Sequence, residues 1–428
     1  MSKPIECDLF VIGMGMAGMA SALFAANRGI STVQAGLTGE TIFASGLLDL
    51  IYTQAVYEQK SCCNPWKKIV TLCREAPKHP YCRISEQDIR AAFDEFLSFL
   101  EDGGLSYHTN GEYNSKMITP LGTIKQTYGV PHTMWTGVQA LKKKRPCLIV
   151  DFHGLKGFSA RQIRTILKDT WPDLRATRIS FPNTTHVAEF FSGEITAQAL
   201  ELSKNREKLA QAVRPHLEDA RAVGMPAILG MSNTREILAE LDEQIGVPVF
   251  EIPTMPVSVP GLRLNNVFSR GLLSKGVQRF SQNRVFEVNA GIDADFVLGI
   301  GNTSGAEHTV RAKGIILASG RFWGGGLYAD RKHIRETIFH LPVHQPTNRN
   351  TWHRKDLMDP RGHPVNRAGL EIDESFRPLD SSGRPAFQML FAAGSILANQ
   401  DWIRMNCGSG LAIATAYAAV NAFFKLRG

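Results

Sequence analysis

Residues 7–35, CDLFVIGMGMAGMASALFAANRGISTVQA, decide the fold. They read as one βαβ unit. Residues 7–12 form a short apolar run of strand type that Gly13 stops. Residues 17–28 have helical composition, and Gly29 stands where a C-cap belongs. Residues 32–35 return to a β-branched run. Between the first strand and the helix, Gly13, Gly15 and Gly18 follow the spacing G-x-G-x-x-G. Gly13 serves the tight turn, Gly15 lets backbone approach a phosphate, and Gly18 lets the helix pack on the strand. The helix N-terminus adds free N–H groups and a partial positive charge. A strand before the motif and a helix opening from it are the context the motif requires.

Residues 9–26 are 18 residues without a charge, near the lower limit for a membrane span. The preceding Lys3, Glu6 and Asp8 are not the basic region of a signal peptide. Three glycines would weaken a helix begun at Leu9 by about 1 kcal/mol each. The stretch is therefore expected to be a buried strand and helix, with no other stretch long enough to cross a bilayer.

The chain has 428 residues, 43% hydrophobic and 21% charged, ordinary values for two or three globular domains. Its formal charge of +8 suits an anionic substrate, lipid headgroups or an acidic partner. The longest basic run, KKKR at 142–145, has no interleaved aromatics and argues against nucleic acid. Seven cysteines without a signal peptide point to a reducing, cytoplasmic setting. Cys62, Cys63, Cys73 and Cys82 lie close in sequence but include no C-x-x-C pair. They are expected to be ordinary reduced thiols, with no metal site.

Residues 36–46 are small, polar and glycine-rich, as in a loop wrapped round a ligand; Ser45 and Gly46 belong to it. Gln34, 21 residues after Gly13, stands where an acid usually binds an adenosine ribose. An amide there still bonds a hydroxyl, but FMN, which has no second ribose, would not need the acid. Helices are expected at 85–103, 159–171, 195–213, 234–245, 261–275 and 411–424. Strands are expected at 147–152, 175–181, 276–280, 284–288, 295–299, 308–312, 314–320 and 389–394, and a loop-rich piece at 110–137. The fold class is α/β: a Rossmann-like flavin-binding domain with an inserted mixed α/β cap domain. The flavin-binding domain takes residues 1–58, 258–334 and 385–428, the inserted domain 59–257, and an irregular insert near the flavin 335–384.

GMGMAG at 13–18, ILASG at 316–320, and LFAAGSIL at 390–397 with NCGSGLAIATAYAA at 406–419 resemble the cofactor-facing segments of flavin-dependent dehydrogenases of the fumarate reductase type. The resemblance implies that Gly320, Gly394, Ser395, Gly408, Gly410 and Leu411 approach the flavin ring and ribityl chain. It also implies that the last helix aims its positive end at the flavin. With TPLGTIKQTYGVPHTMW at 119–135 and FWGGGLYADR at 322–331, the chain is similar from end to end to the family of B subunits of anaerobic glycerol-3-phosphate dehydrogenases. That resemblance implies FMN as cofactor, with FAD as the alternative suggested by the pyrophosphate-type glycine motif. It implies two partners: the catalytic (A) subunit, and the iron–sulfur, membrane-anchoring (C) subunit. Such a complex is a glycerol-3-phosphate:quinone oxidoreductase, oxidising sn-glycerol 3-phosphate to dihydroxyacetone phosphate and passing electrons to the quinone pool in fumarate or nitrate respiration. The expected location is cytoplasmic, on the inner face of the membrane through partners.

Oxidising a secondary alcohol needs a base, and a phosphate-bearing substrate wants Arg or Lys. His353 and Arg354, in TWHRK, are the catalytic candidates; His333, Arg349 and Arg321 are further ones. A self-sufficient flavin dehydrogenase for another small anion, and a non-catalytic adaptor, are the competing functions. An NAD(P)H-driven disulfide reductase is disfavoured by the lack of C-x-x-C and of a second glycine motif.

Overall fold

A computed structural model of the chain describes residues 3–37, 40–52, 63–183, 192–290 and 295–427. The chain divides into two compact units. One comprises Met1–Glu40, Asp49–Ser98 and Phe268–Gly428; the other comprises Thr41–Leu48 and Phe99–Val267. The helices Glu86–Asp102 and Val259–Ser274 contribute residues to both.

The first unit is organised by its first strand, Ile5–Ile12, whose residues Leu9–Ile12 are buried. It pairs in parallel with Thr32–Gly36 on one side and Gly305–Leu317 on the other. Gln278–Ser281 extends the parallel sheet beyond Thr32–Gly36, and Leu390–Ala392 pairs in parallel with the end of Gly305–Leu317. Phe296–Asn302 and Arg284–Ala290 add an antiparallel meander. The strands expected at 308–312 and 314–320 are one continuous strand, Gly305–Leu317. Lys313 does not break it, because its ammonium reaches Asp8 on the neighbouring strand at 2.9 Å.

Helix Met16–Asn27 follows the glycine turn and buries nine residues. The C-terminal helix Gly408–Leu426 packs along it, with Phe24 and Tyr417 edge to face at 5.2 Å and Arg28 Nε donating to Asn421. By length and composition this last helix matches a membrane span, which corrects the expectation that no second stretch does. Ten of its residues are buried, and Phe423 packs edge to face with Phe391 of the sheet. It is a core helix of this unit. Cys73 and Cys82 are disulfide-bonded, a correction to the expectation of reduced thiols. Helix Pro65–Glu75 and the short turn Pro80–Arg83 bring their Cα atoms to 5.3 Å, within disulfide reach. Cys62 lies outside the described residues, as do Thr38 and Gly39 of the glycine-rich loop.

The second unit has its own four-stranded parallel sheet, in the order Val249–Ile252, Val223–Pro226, Cys147–Phe152, Leu174–Ile179. All six residues of CLIVDF are buried, as a near-continuous apolar strand covered on both faces should be. The helix expected at 195–213 is two, Gly193–Ala199 and Ser203–Val213. The break is held by side chains: Asn205 donates to the Ala199 carbonyl, and Arg206 to those of Leu200 and Glu201. Those carbonyls therefore need no further helical turn. The loop-rich piece contains the hairpin Ser115–Ile118 with Ile124–Thr127 and the start of helix His132–Lys143. The basic run closes that helix, with Lys142 and Lys143 in the last turn, where cations meet the negative helix end.

Candidate flavin site

The parallel strands of the first unit all end at one edge, and the glycine segments gather there. Gly13 has φ +122°, and a Cβ at that position would fall 2.2 Å from the Ala318 carbonyl oxygen. Gly18 is as tightly held: a Cβ would lie 2.1 Å from the Gly13 carbonyl oxygen. The first turn and the strand end beside Gly320 are thus in direct backbone contact, and Ala318 N donates to Ile12 O at 2.8 Å. Gly15 is the N-cap of helix Met16–Asn27 and offers no capping side chain, so the amides of the first turn are left for another acceptor.

Gly394 meets the same turn, since a Cβ there would lie 2.5 Å from Ala17 Cβ. Its N–H donates to Thr415 Oγ1 in the C-terminal helix at 2.8 Å, and that hydroxyl donates to the Leu411 carbonyl. Gly410 N donates to Asp49 O at 2.7 Å, Asp49 N donates to Ser409 Oγ at 2.7 Å, and Tyr81 Oη donates to Leu50 O. The N-terminal turn of the last helix, with Gly408, Gly410 and the buried Leu411, is therefore pinned to residues 49–50. Burial pushes the Cys407 thiol and the Tyr81 phenol packed there well above their ordinary pKa values, with Asp49 adding to both. Both stay protonated at neutral pH. Ser395 is half-buried in the short turn Gly394–Ile396.

Ser319 Oγ and Arg321 Nε at this edge are buried and have no hydrogen-bond partner among the described residues. The rest of the Arg321 guanidinium is anchored, donating to the carbonyls of Val365 and Asn366. Buried polar groups are normally satisfied, so orphaned donors at the carboxyl end of a parallel sheet fit a polar ligand. Glycine cradles, a bare helix N-terminus and these donors together suit the phosphate, ribityl chain and ring edge of a flavin.

The sequence missed how Gln34 is used. It is fully buried; its Nε2 donates to the Gly13 carbonyl at 2.9 Å and its Oε1 accepts from Arg279 Nε at 3.1 Å. Its amide is spent bracing the glycine turn. The strand ends two residues later at Gly36, where a Cβ would lie 2.9 Å from Gly13 Cα. Arg279 and Asp49 also escaped the sequence reading, because their partners lie 245 and 360 residues away along the chain. Ser319 stood inside ILASG, and only its missing partner marks it out.

The remaining candidates are dispersed. Ser45 and Gly46 belong to the second unit, where Ser45 Oγ accepts from Leu47 N and the Gly46 carbonyl accepts from Tyr107 Oη. His353 is exposed, with its ring 5.4 Å from that of His363. Arg354 donates from Nε to the Gly362 carbonyl at 3.0 Å and lies 3.9 Å from the Asp359 carboxylate. Arg349 stacks on Trp352 at 4.0 Å, and His333 is exposed beside Asp330.

Residues 8–411 match the family model described as FAD binding domain. A Halobacterium salinarum protein named as the probable B subunit of an anaerobic glycerol-3-phosphate dehydrogenase is 30% identical, covering 97% of this chain and 97% of its own. The B subunit of the anaerobic glycerol-3-phosphate dehydrogenase of Vibrio vulnificus is 28% identical over 99% of this chain and 97% of its own. Among solved structures, the 3-ketosteroid delta1-dehydrogenase of Sterolibacterium denitrificans aligns with a TM-score of 0.44 at 11% identity, over 98% of this chain and 100% of that one. The chain belongs to the FAD binding domain family and, within it, to the family of anaerobic glycerol-3-phosphate dehydrogenase B subunits.

Proposed function

We propose that this chain is the flavoprotein subunit of an anaerobic glycerol-3-phosphate dehydrogenase complex. Its partners there are the catalytic (A) subunit and the iron–sulfur, membrane-anchoring (C) subunit. The complex oxidises sn-glycerol 3-phosphate to dihydroxyacetone phosphate and delivers electrons to the quinone pool, with this chain on the inner face of the membrane through its partners. The observation that carries the reading is the glycine-built carboxyl edge of the first sheet, where Ser319 Oγ and Arg321 Nε lack partners. A bound flavin supplies the capacity to take up electrons in pairs and release them singly. The chain's own residues bind and orient it: the amides after Gly15 and the half-buried Ser395 offer donors, and the N-terminus of Gly408–Leu426 offers positive potential.

FMN is the favoured flavin. Gln34 is turned inward and Gly36 ends the strand without a side chain, so neither residue offers a carboxylate to an adenosine ribose. FAD is the second reading, favoured by the family to which residues 8–411 belong. The alcohol chemistry is assigned to the catalytic partner. His353 and Arg354 become proton and phosphate groups only if the isolated chain turns over the substrate itself. The test is to purify the chain alone and with its partners. The expected result is a yellow single chain releasing FMN by mass, with glycerol-3-phosphate oxidation by an artificial acceptor only in the complex. Full turnover by the single chain would move the alcohol site here, and release of FAD would correct the cofactor.

A further inference from the structure

Next to Ser319–Gly320 the surface of the first unit changes character. Phe322, Trp323, Leu357, Met358, Trp402 and Ile403 are exposed, with Trp323 at 78%, Leu357 at 81% and Met358 at 80%. Exposed single apolar residues are ordinary, but several large ones on joined segments are not. The three segments are tied together. Arg321 donates to the carbonyls of Val365 and Asn366, and Asn366 Nδ2 donates to Asp401 at 3.3 Å. His363 Nε2 lies 3.0 Å from the Leu357 carbonyl. A Cβ on Gly362 would lie 2.6 Å from the Asp401 carboxylate and 2.9 Å from Arg404 Cδ. The apolar residues are thus held in place by polar contacts between the segments, although almost no regular secondary structure supports them.

The rim is basic. Residues 321–367 contain nine Lys and Arg against four Asp and Glu, so a large part of the chain's +8 sits in this one stretch. The carboxylates are largely spent locally, Asp330 on Arg335 and Asp359 on Arg361. Arg349, Lys355 and Arg404 make no ion pair among the described residues. Exposed aromatic and aliphatic anchors on a stretch with an excess of cations have the anatomy of a protein interface awaiting an acidic partner.

We infer that this surface, centred on Trp323, Leu357 and Met358, docks the acidic face of a partner protein of the complex at the end of the candidate flavin site. The inference rests on the functional reading above and names the surface through which electrons leave. It commits to a protein occupant because relatives of this chain are named as one subunit of a larger enzyme and because the patch adjoins Ser319–Gly320, where an electron must cross. Docking at this place shortens the path, and the excess of cations on these segments draws in an acidic partner.

The test uses the complex formed by co-expressing the tagged chain with its catalytic and iron–sulfur partners. The variant Leu357→Glu/Met358→Glu replaces two side chains that contribute little to the fold, and Lys355→Glu separately reverses the charge. Both variants are expected to keep wild-type flavin content. The double variant should retain at least tenfold less partner, and the charge reversal severalfold less, with its loss growing as salt falls. A photo-crosslinker placed at 357 should join the wild-type chain to one of the two partners. Retention of partners at wild-type stoichiometry by the double variant would overturn the inference. So would a complex that keeps its subunits but leaves the membrane fraction, since that assigns the surface to lipid. A wild-type chain without flavin would sink the functional reading, and the partner-retention result would still stand or fall independently.

Discussion

Among the described residues, one parallel sheet and one mixed sheet with a parallel core carry the two units, and the carboxyl edges of their parallel strands are finished in different ways. In the second unit the edge is closed by its own side chains. Glu251, fully buried on Val249–Ile252, takes both terminal nitrogens of Arg263 at 2.7 and 2.8 Å, the Thr133 hydroxyl and the Leu229 amide. Arg263 Nε donates to the Gly230 carbonyl, so every nitrogen of that guanidinium is engaged. Burial would raise the Glu251 pKa, but the charge and hydrogen bonds of Arg263 outweigh it and hold the carboxyl below its ordinary range. In the first unit the corresponding edge is lined with glycine backbone and leaves Ser319 Oγ and Arg321 Nε without partners among the described residues. Carboxyl edges of parallel sheets are where ligands commonly bind, but at the second edge Glu251 and Arg263 are satisfied from within. An edge that leaves donors unanswered fits a ligand that supplies their partners.

The largest effect that would break this contrast lies in the second unit. Arg263→Met strands Glu251 as a buried unpaired charge and should cost roughly 3–5 kcal/mol in denaturant unfolding. Pairing it with Glu251→Gln should recover most of that loss, and a single variant of native stability would show that the edge is not held by the pair. The next effect is on pH. His79 is buried, and burial, with Arg367 adding, pushes its pKa down to about 3. Its Nδ1 accepts from Tyr81 N, while Nε2 has no partner among the described residues. The imidazole is neutral in the folded state, whereas the unfolded chain takes up a proton below about pH 6.5. Stability of the first unit should therefore be whole above that pH and fall between about pH 6 and 3, by up to about 1.4 kcal/mol per pH unit. His79→Gln should flatten that slope, and an unchanged profile would refute the assignment. The smallest effect sharpens the comparison most. Ser319→Ala removes a hydroxyl with no protein partner, so melting should barely change. Flavin retention should weaken by about 1 kcal/mol, roughly fivefold, and unchanged retention would leave the orphaned hydroxyl without a role.

Much of this was legible in the chain because it is local. GMGMAG between a strand and a helix, GIILASG as a buried strand end, and CLIVDF as a buried strand are each set by a few neighbouring residues. The rest depends on contacts that no window shows. Gln34 reads as a ligand residue by spacing, but Arg279 and Gly13 claim its amide from opposite sides. Residues 195–213 carry helical periodicity throughout, and only the side chains of Asn205 and Arg206 folding back on the first helix reveal the break. Cys73 and Cys82 have no recognisable spacing; the turn at Pro80–Arg83 brings them together. The apolar surface at Leu357 and Met358 was invisible because exposure, not residue type, makes it a surface.

The claim beneath all of this is that the first unit's open edge is a flavin site. Flavin content per chain, measured by absorbance and by mass of the released chromophore, tests it for the wild type and for Gly13→Val. A Cβ at 13 would enter the Ala318 carbonyl at a φ that side chains rarely adopt. About one flavin per wild-type chain is expected, and almost none in a Gly13→Val protein whose second unit still melts normally. A colourless wild type, or undiminished flavin in Gly13→Val, would contradict it.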